Sequence, residues 1–134
     1  MRFLLDVNAL LALGIKEHQF NPRVEKWVAS LAAQAVPKIA TCSITELGFV
    51  RIASQITAYG FTVAEVRNEL LQLKRSKTYD FNFIEDGNDI SKLPAWIKLS
   101  KQTTDGHLVQ LATSNGAVLA TLDSHIPDSF LIPA

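Results

Sequence analysis

The sequence predicts an α/β domain built on a mostly parallel sheet of four to five strands. Three observations lead there. Short apolar runs, Arg2–Leu5, Lys38–Cys42 and Ala117–Thr121, alternate with longer segments whose apolar residues recur at helical spacing. Acidic residues sit just past the ends of these runs, where parallel sheets place their sites. The composition, 48% hydrophobic and 19% charged over 134 residues, is that of a globular chain with enough length to bury a core, read as one domain over 1–134.

The elements follow in order. Arg2–Leu5 reads as a buried strand, and Asn8 opens a helix toward Lys16. Asn21-Pro22 starts a second helix: Asn satisfies free N–H groups, and Pro lacks the N–H that would be orphaned at the first helical position. Val24, Trp27, Val28, Leu31 and Ala35 continue it to Pro37. Lys38–Cys42 is the second strand. Ser43-Ile44-Thr45-Glu46 opens a helix that Gly60 closes, with Ser43 and Glu46 at capping-box spacing. Thr62 and Glu65 form another capping box, and Lys74, Arg75 and Lys77 suit the C-terminal dipole of the helix they end. Phe81–Ile84 is a third strand, and the segment around Leu93–Leu99 is expected to be helical. Thr104 caps a helix that Gly116 stops; Ala117–Thr121 and Phe130–Ile132 complete the sheet, the last at its edge beside Pro127 and Pro133.

Several classes drop out early. One cysteine, Cys42, forms no internal disulfide, and no Cys/His zinc spacing exists, so a reducing cytoplasm is the expected home. No run approaches the roughly 18 apolar residues of a membrane helix. Asp6 and Asn8 interrupt the apolar start, which argues against a signal peptide. Thirteen basic residues meet thirteen acidic ones, which disfavours a generic basic nucleic-acid binder and makes self-association or a partner plausible.

Four acids stand out. Asp6, Glu46 and Asp123 lie just past strand ends, and Asp105 opens the last long helix. Each has an ordinary explanation as a helix cap, capping-box partner, dipole complement or turn residue. Together they would repel one another, and a divalent cation would relieve that repulsion. Oxygen ligands without clustered His or Cys favour Mg²⁺, with Mn²⁺ an option, over zinc. Asn8 could ligate, orient Asp6 or cap the first helix. Thr121 could hydrogen-bond a carboxylate or simply occupy its strand.

The ordered segments LLDVNALLAL, SITELGFVRI and TTDGHLVQLATSNGAVLATLDSH resemble the PIN-domain nucleases, most closely the VapC-type toxins of bacterial toxin–antitoxin pairs. The resemblance spans Arg2 to Ile132. It implies a three-layer α/β/α sandwich, an Mg²⁺- or Mn²⁺-dependent endoribonuclease, an RNA substrate, a cognate antitoxin and a homodimer. The family's four acids map to Asp6, Glu46, Asp105 and Asp123, and Asn8 matches the polar residue two past the first. Two departures are visible: Gly106 where the family usually has Ala, and Ser124-His125 where an aromatic or basic residue is common.

The expected chemistry is attack of a metal-activated water on a phosphodiester. The metal would be held by Asp6, Asp105, Asp123 and Glu46, with Glu46 the candidate for an outer or general-base part. His125 and Arg51 are candidate phosphate or RNA contacts. His107 is expected to turn away, His18 to lie on the surface, and Trp27 and Trp96 to anchor the core or an interface. Two other readings compete. One is a noncatalytic PIN-like interaction module. The other is a haloacid-dehalogenase-like phosphatase, against which stands Asn8 in place of a second Asp. Setting the four acids aside leaves nine acids against thirteen bases, so neutrality is the sum of an acidic site and a mildly basic frame.

Overall fold

The computed structural model describes residues 1–134. The strands are β1 (Arg2–Leu5), β2 (Lys38–Cys42), β3 (Asp80–Ile84), β4 (Ala117–Thr121) and β5 (Phe130–Leu131). The helices are α1 (Val7–Gly14), α2 (Asn21–Ala32), α3 (Ser43–Gln55), α4 (Val63–Arg75) and α5 (Thr103–Ser114). All five strands pair in parallel in the order β3-β2-β1-β4-β5. The chain runs outward from β1 to β3, then returns to the other side of β1 for β4. That reversal opens a crevice at the carboxyl ends of β1 and β4, where open α/β sheets bind ligands.

Alternation along β1 splits the core between two faces. Phe3 and Leu5 join Leu10, Val24, Trp27, Phe49 and Leu70 beneath α1 to α4. Leu4 joins Leu108, Leu111 and Leu119 beneath α5. The result is a three-layer α/β/α sandwich with four helices on one face and one on the other. Parallel strands buried on both faces read as continuous apolar runs, which is why β1 and β4 were visible without alternation. The α5 face is completed by the segment 85–102, which contains short 3₁₀ turns at Ile90–Lys92 and Ser100–Gln102.

Several boundaries differ from the sequence reading for local reasons. Asp6, not Asn8, caps α1: its carboxylate accepts from the Ala9 N–H at 2.8 Å. Asn21 lies inside α2 and spends its side chain on the Ala12 carbonyl at 2.7 Å, joining α2 to α1. α2 stops at Ala32 and α3 at Gln55, short of Pro37 and Gly60. The cap of α3 uses Thr45, whose hydroxyl accepts from the Cys42 N–H, so the Ser43–Glu46 box does not form and Glu46 is released for another partner. Leu93–Leu99 is irregular rather than helical, and Thr103 already lies within α5, ahead of the expected Thr104 cap. Gly116 ends α5 at φ +66, a left-handed turn that disfavours any side chain.

Candidate active site

Asp6 follows β1 directly. Only 7% exposed, it is one of the few polar side chains in the core. One carboxylate oxygen takes the Ala9 N–H, and the other accepts from the Thr121 hydroxyl at 2.5 Å. Thr121, fully buried at the end of β4, also accepts from the Asp123 N–H at 3.0 Å. One threonine therefore ties together the acids that follow the two central strands. Burial pushes the Asp6 carboxyl above its usual range. The Thr121 and Ala9 hydrogen bonds pull it back, and the charges of Asp105 and Asp123 raise it further.

Asp105 sits in the first turn of α5 and is half-buried. Its carboxyl is also raised, by burial first and by Asp123 second. Asp123 is exposed, and its carboxyl is held low mainly by the His125 backbone N–H at 2.9 Å. Asp6, Asp105 and Asp123 thus share one electrostatic neighbourhood with no Lys or Arg pairing any of them. Two clefts straddle Asp123. One, of about 240 Å³, is lined by Asp6, Asn8, His18, Gln19, Phe20 and Leu122. The other, of about 380 Å³, is lined by Asp105 together with Trp96, Leu99, Lys101, Gln102, His125 and Ile126.

Glu46 has a different environment. Its carboxylate accepts from Lys74 Nζ at 2.7 Å and from the Thr41 hydroxyl at 2.6 Å. Lys74 also lies over the Phe83 ring, 5.2 Å from its centroid. The last turn of α4 therefore supplies this acid with a cation, so Lys74 is more than a solvated helix end. Glu46 lines an apolar depression with Leu47, Val50, Leu70, Leu71 and Phe83, not either of the clefts at Asp123.

The other candidates divide. Asn8 is exposed on the first turn of α1 and faces the Asp6 cleft. His125, exposed, approaches Asp123 with Nδ1 at 3.1 Å. Arg51 is exposed on α3 and lines neither cleft. His107 pairs with Asp86 at 2.5 Å and fastens α5 to the segment after β3. Trp27 is core, packed edge-on to Phe3. Sequence reasoning missed His18, which lines the Asp6 cleft and whose ring nitrogen accepts from the Phe20 N–H. It lies in an irregular turn with no motif around it, so no local signal marked it.

With this geometry in view, known proteins offer a direct comparison. Ribonuclease VapC38 of Mycobacterium tuberculosis (strain ATCC 25618 / H37Rv) is 32% identical over 130 residues, covering 92% of this chain and 86% of the relative. The chain belongs to the VapC-like PIN nucleases. Ribonuclease VapC44 of the same species (strain CDC 1551 / Oshkosh) is 32% identical, covering 94% of this chain and 89% of the relative. Ribonuclease VapC39 is 28% identical over 96% and 94%. No family model matches the chain.

The structure gives a local reason for glycine at position 106. A Cβ at position 106 would fall 2.7 Å from Ile97 Cγ1, and Pro94 is close behind at 3.6 Å. The segment after β3 presses Ile97 onto α5 beside Asp105, and only glycine leaves room for it. Glycine here lets the segment after β3 lie close against α5.

The donor set suits a hard cation: oxygen ligands, one of them buried, with no cysteine or clustered histidine. No three His, Cys, Asp or Glu side chains are gathered closely enough to form a ready-made cage. An ion that keeps several of its own waters suits such an open arrangement better than one needing full protein coordination.

Proposed function

We propose that this chain is an endoribonuclease toxin of a toxin–antitoxin pair. It would hydrolyse RNA phosphodiesters with Mg²⁺, or Mn²⁺, held by Asp6, Asp105 and Asp123. The supporting observation is Asp6: a buried carboxylate beside two others, with no protein cation to compensate it. Unpaired buried charge is costly, so such a site is best understood as built for a missing positive partner. When bound, the ion would supply charge neutralisation at the scissile phosphate and a more acidic water.

The remaining work falls to side chains. Thr121 and the Ala9 N–H fix both oxygens of Asp6, so the carboxylate presents one orientation. The His125 N–H holds one oxygen of Asp123 and leaves the other open. Asn8 and His18 line the wall along which substrate would lie, and His125 offers an exposed donor to phosphate. Glu46, already engaged by Lys74 and Thr41, takes an orienting part rather than direct ligation. Arg51 keeps only the weaker expectation of a distant RNA contact.

An antitoxin protein, a homodimer and a cytoplasmic setting complete the proposal, supported by the VapC resemblance. Exposed Leu47, Leu71 and Phe83 offer apolar area for a protein contact. No helix is long and apolar enough to cross a membrane. The test is cleavage of single-stranded and structured RNA with Mg²⁺, with EDTA and by Asp6→Ala. Cleavage that needs both the ion and Asp6 supports the proposal; equal cleavage in EDTA or by the variant refutes it.

A further inference from the structure

We infer that the cleft between α5 and the segment 85–102 is a nucleoside subsite: it holds the base of a nucleotide flanking the scissile phosphate against Trp96, with Lys101 engaging the backbone. The inference rests on the nuclease proposal above and adds a place and a chemistry for its substrate.

The cleft opens directly from the site. Asp105 and Asp123 line it together with Trp96, Leu99 and Lys101, and Gln102, His125 and Ile126 complete the wall. Its volume of about 380 Å³ falls within the roughly 300–1,000 Å³ of small-ligand pockets. The ion held by these carboxylates would take the scissile phosphate; any carboxylate oxygen left facing the cleft would repel a second phosphate but accept the exocyclic amino hydrogens of a neutral base. An indole offers any base a π-face, and Lys101, exposed and without an ion-pair partner, suits a phosphate at the rim.

The wall is also built to stay in place. Ile97, next to Trp96, fills the space left by Gly106. His107 bonds Asp86 at the start of the segment, and Gln102 Oε1 accepts from the backbone N–H groups of Lys98 and Leu99 at 2.8 and 2.9 Å near its end. Trp96 packs against the α5 face of the core. Its Nε1–H is buried and has no acceptor in the protein, so packing rather than a hydrogen bond sets the ring. A rigid aromatic wall loses little entropy on binding, which is what a stacking platform requires.

Tryptophan emission tests this directly, because Trp27 is enclosed in the core and only Trp96 can meet RNA. Single-stranded RNA hexamers, intact or carrying one abasic nucleotide at successive positions, are titrated into the full chain with Ca²⁺ in place of Mg²⁺, a cation that still screens the carboxylates but acidifies its bound water less and so slows turnover. Fluorescence anisotropy of labelled hexamer runs in parallel. The expected result is saturable quenching, lost when one particular position is abasic. Binding should weaken about tenfold in Trp96→Leu and severalfold in Lys101→Ala. An abasic hexamer should bind Trp96→Leu and the Trp96 protein equally. RNA binding without quenching, unchanged affinity in Lys101→Ala, or no binding at all overturns the subsite. Quenching is read without cleavage, so a protein that stacks RNA but never cuts it would refute the nuclease proposal while leaving the subsite standing.

Discussion

Asp6 and Glu46 begin as equivalents. Each follows a central strand of the same parallel sheet, and each stands at or just before the start of a helix. Their surroundings then part. Asp6, with Thr121 and a backbone N–H for partners, faces two further carboxylates and no cation. Glu46 faces Lys74, delivered by the end of α4. Position past a strand end therefore marks where a site can form, and the charge partner decides what the acid does there. The β1/β4 side is left in deficit of positive charge; the β2/β3 side is balanced from within.

The largest effect should come from the deficient side. Asp6→Ala is expected to cut RNA cleavage by at least about 10³-fold, since metal-site charge stabilisation amounts to several kcal/mol and each 1.36 kcal/mol is tenfold. It should also lose the α1 cap, about 1 kcal/mol of stability by thermal melting. Asp6→Asn, which can still accept from the Ala9 N–H, should lose cleavage and keep the cap. Comparable activity in Asp6→Ala and Glu46→Ala would erase the distinction between the two sides.

Gly106→Ala comes next. The added methyl must displace Ile97 beside Asp105, at about 1–3 kcal/mol of stability read by denaturant melts. Cleavage should fall with it, because α5 and the segment over the second cleft shift together. An unchanged melt would show that the segment yields freely.

On the balanced side, Lys74→Met strands a partly buried carboxylate and should cost about 1–2 kcal/mol. Adding Glu46→Leu should recover most of that loss, because removing both partners leaves no orphaned charge. A single variant as stable as wild type would mean that the ion pair contributes nothing.

The smallest effect concerns pH. Without metal, the raised Asp6 carboxyl makes the folded chain bind more protons than the unfolded chain between the two pKa values. Stability should therefore fall as pH rises from the ordinary carboxylate range through the raised one. Asp105 adds in the same direction. Asp6→Asn should flatten the slope and stabilise the metal-free protein by up to about 1 kcal/mol, as should saturating Mg²⁺ on the original chain. A melt series across pH checks both.

The strands and the acids beyond them were legible because they rest on local patterns: apolar runs buried on both faces, and a carboxylate at each junction. What escaped was set by contacts distant in sequence. Lys74 looked like a dipole complement because nothing near it reveals that α4 ends over Glu46. Ser43 and Glu46 matched a capping box, and Thr45, one turn-position away, took the cap instead. Gly106 looked like a loss from the family pattern until Ile97, nine residues earlier, filled the space. His18 could not be found from a turn of unremarkable composition. Leu93–Leu99 carried enough apolar residues for a helix, but Pro94 and the demand of sealing α5 hold it irregular.

The most direct test of the difference between the two acids is Mn²⁺ binding by calorimetry to the wild type, Asp6→Asn and Glu46→Gln. Saturable binding by wild type and Glu46→Gln, with loss in Asp6→Asn, is expected. Binding that survives in Asp6→Asn, or that disappears only in Glu46→Gln, would contradict the assignment of the cation to the β1/β4 side.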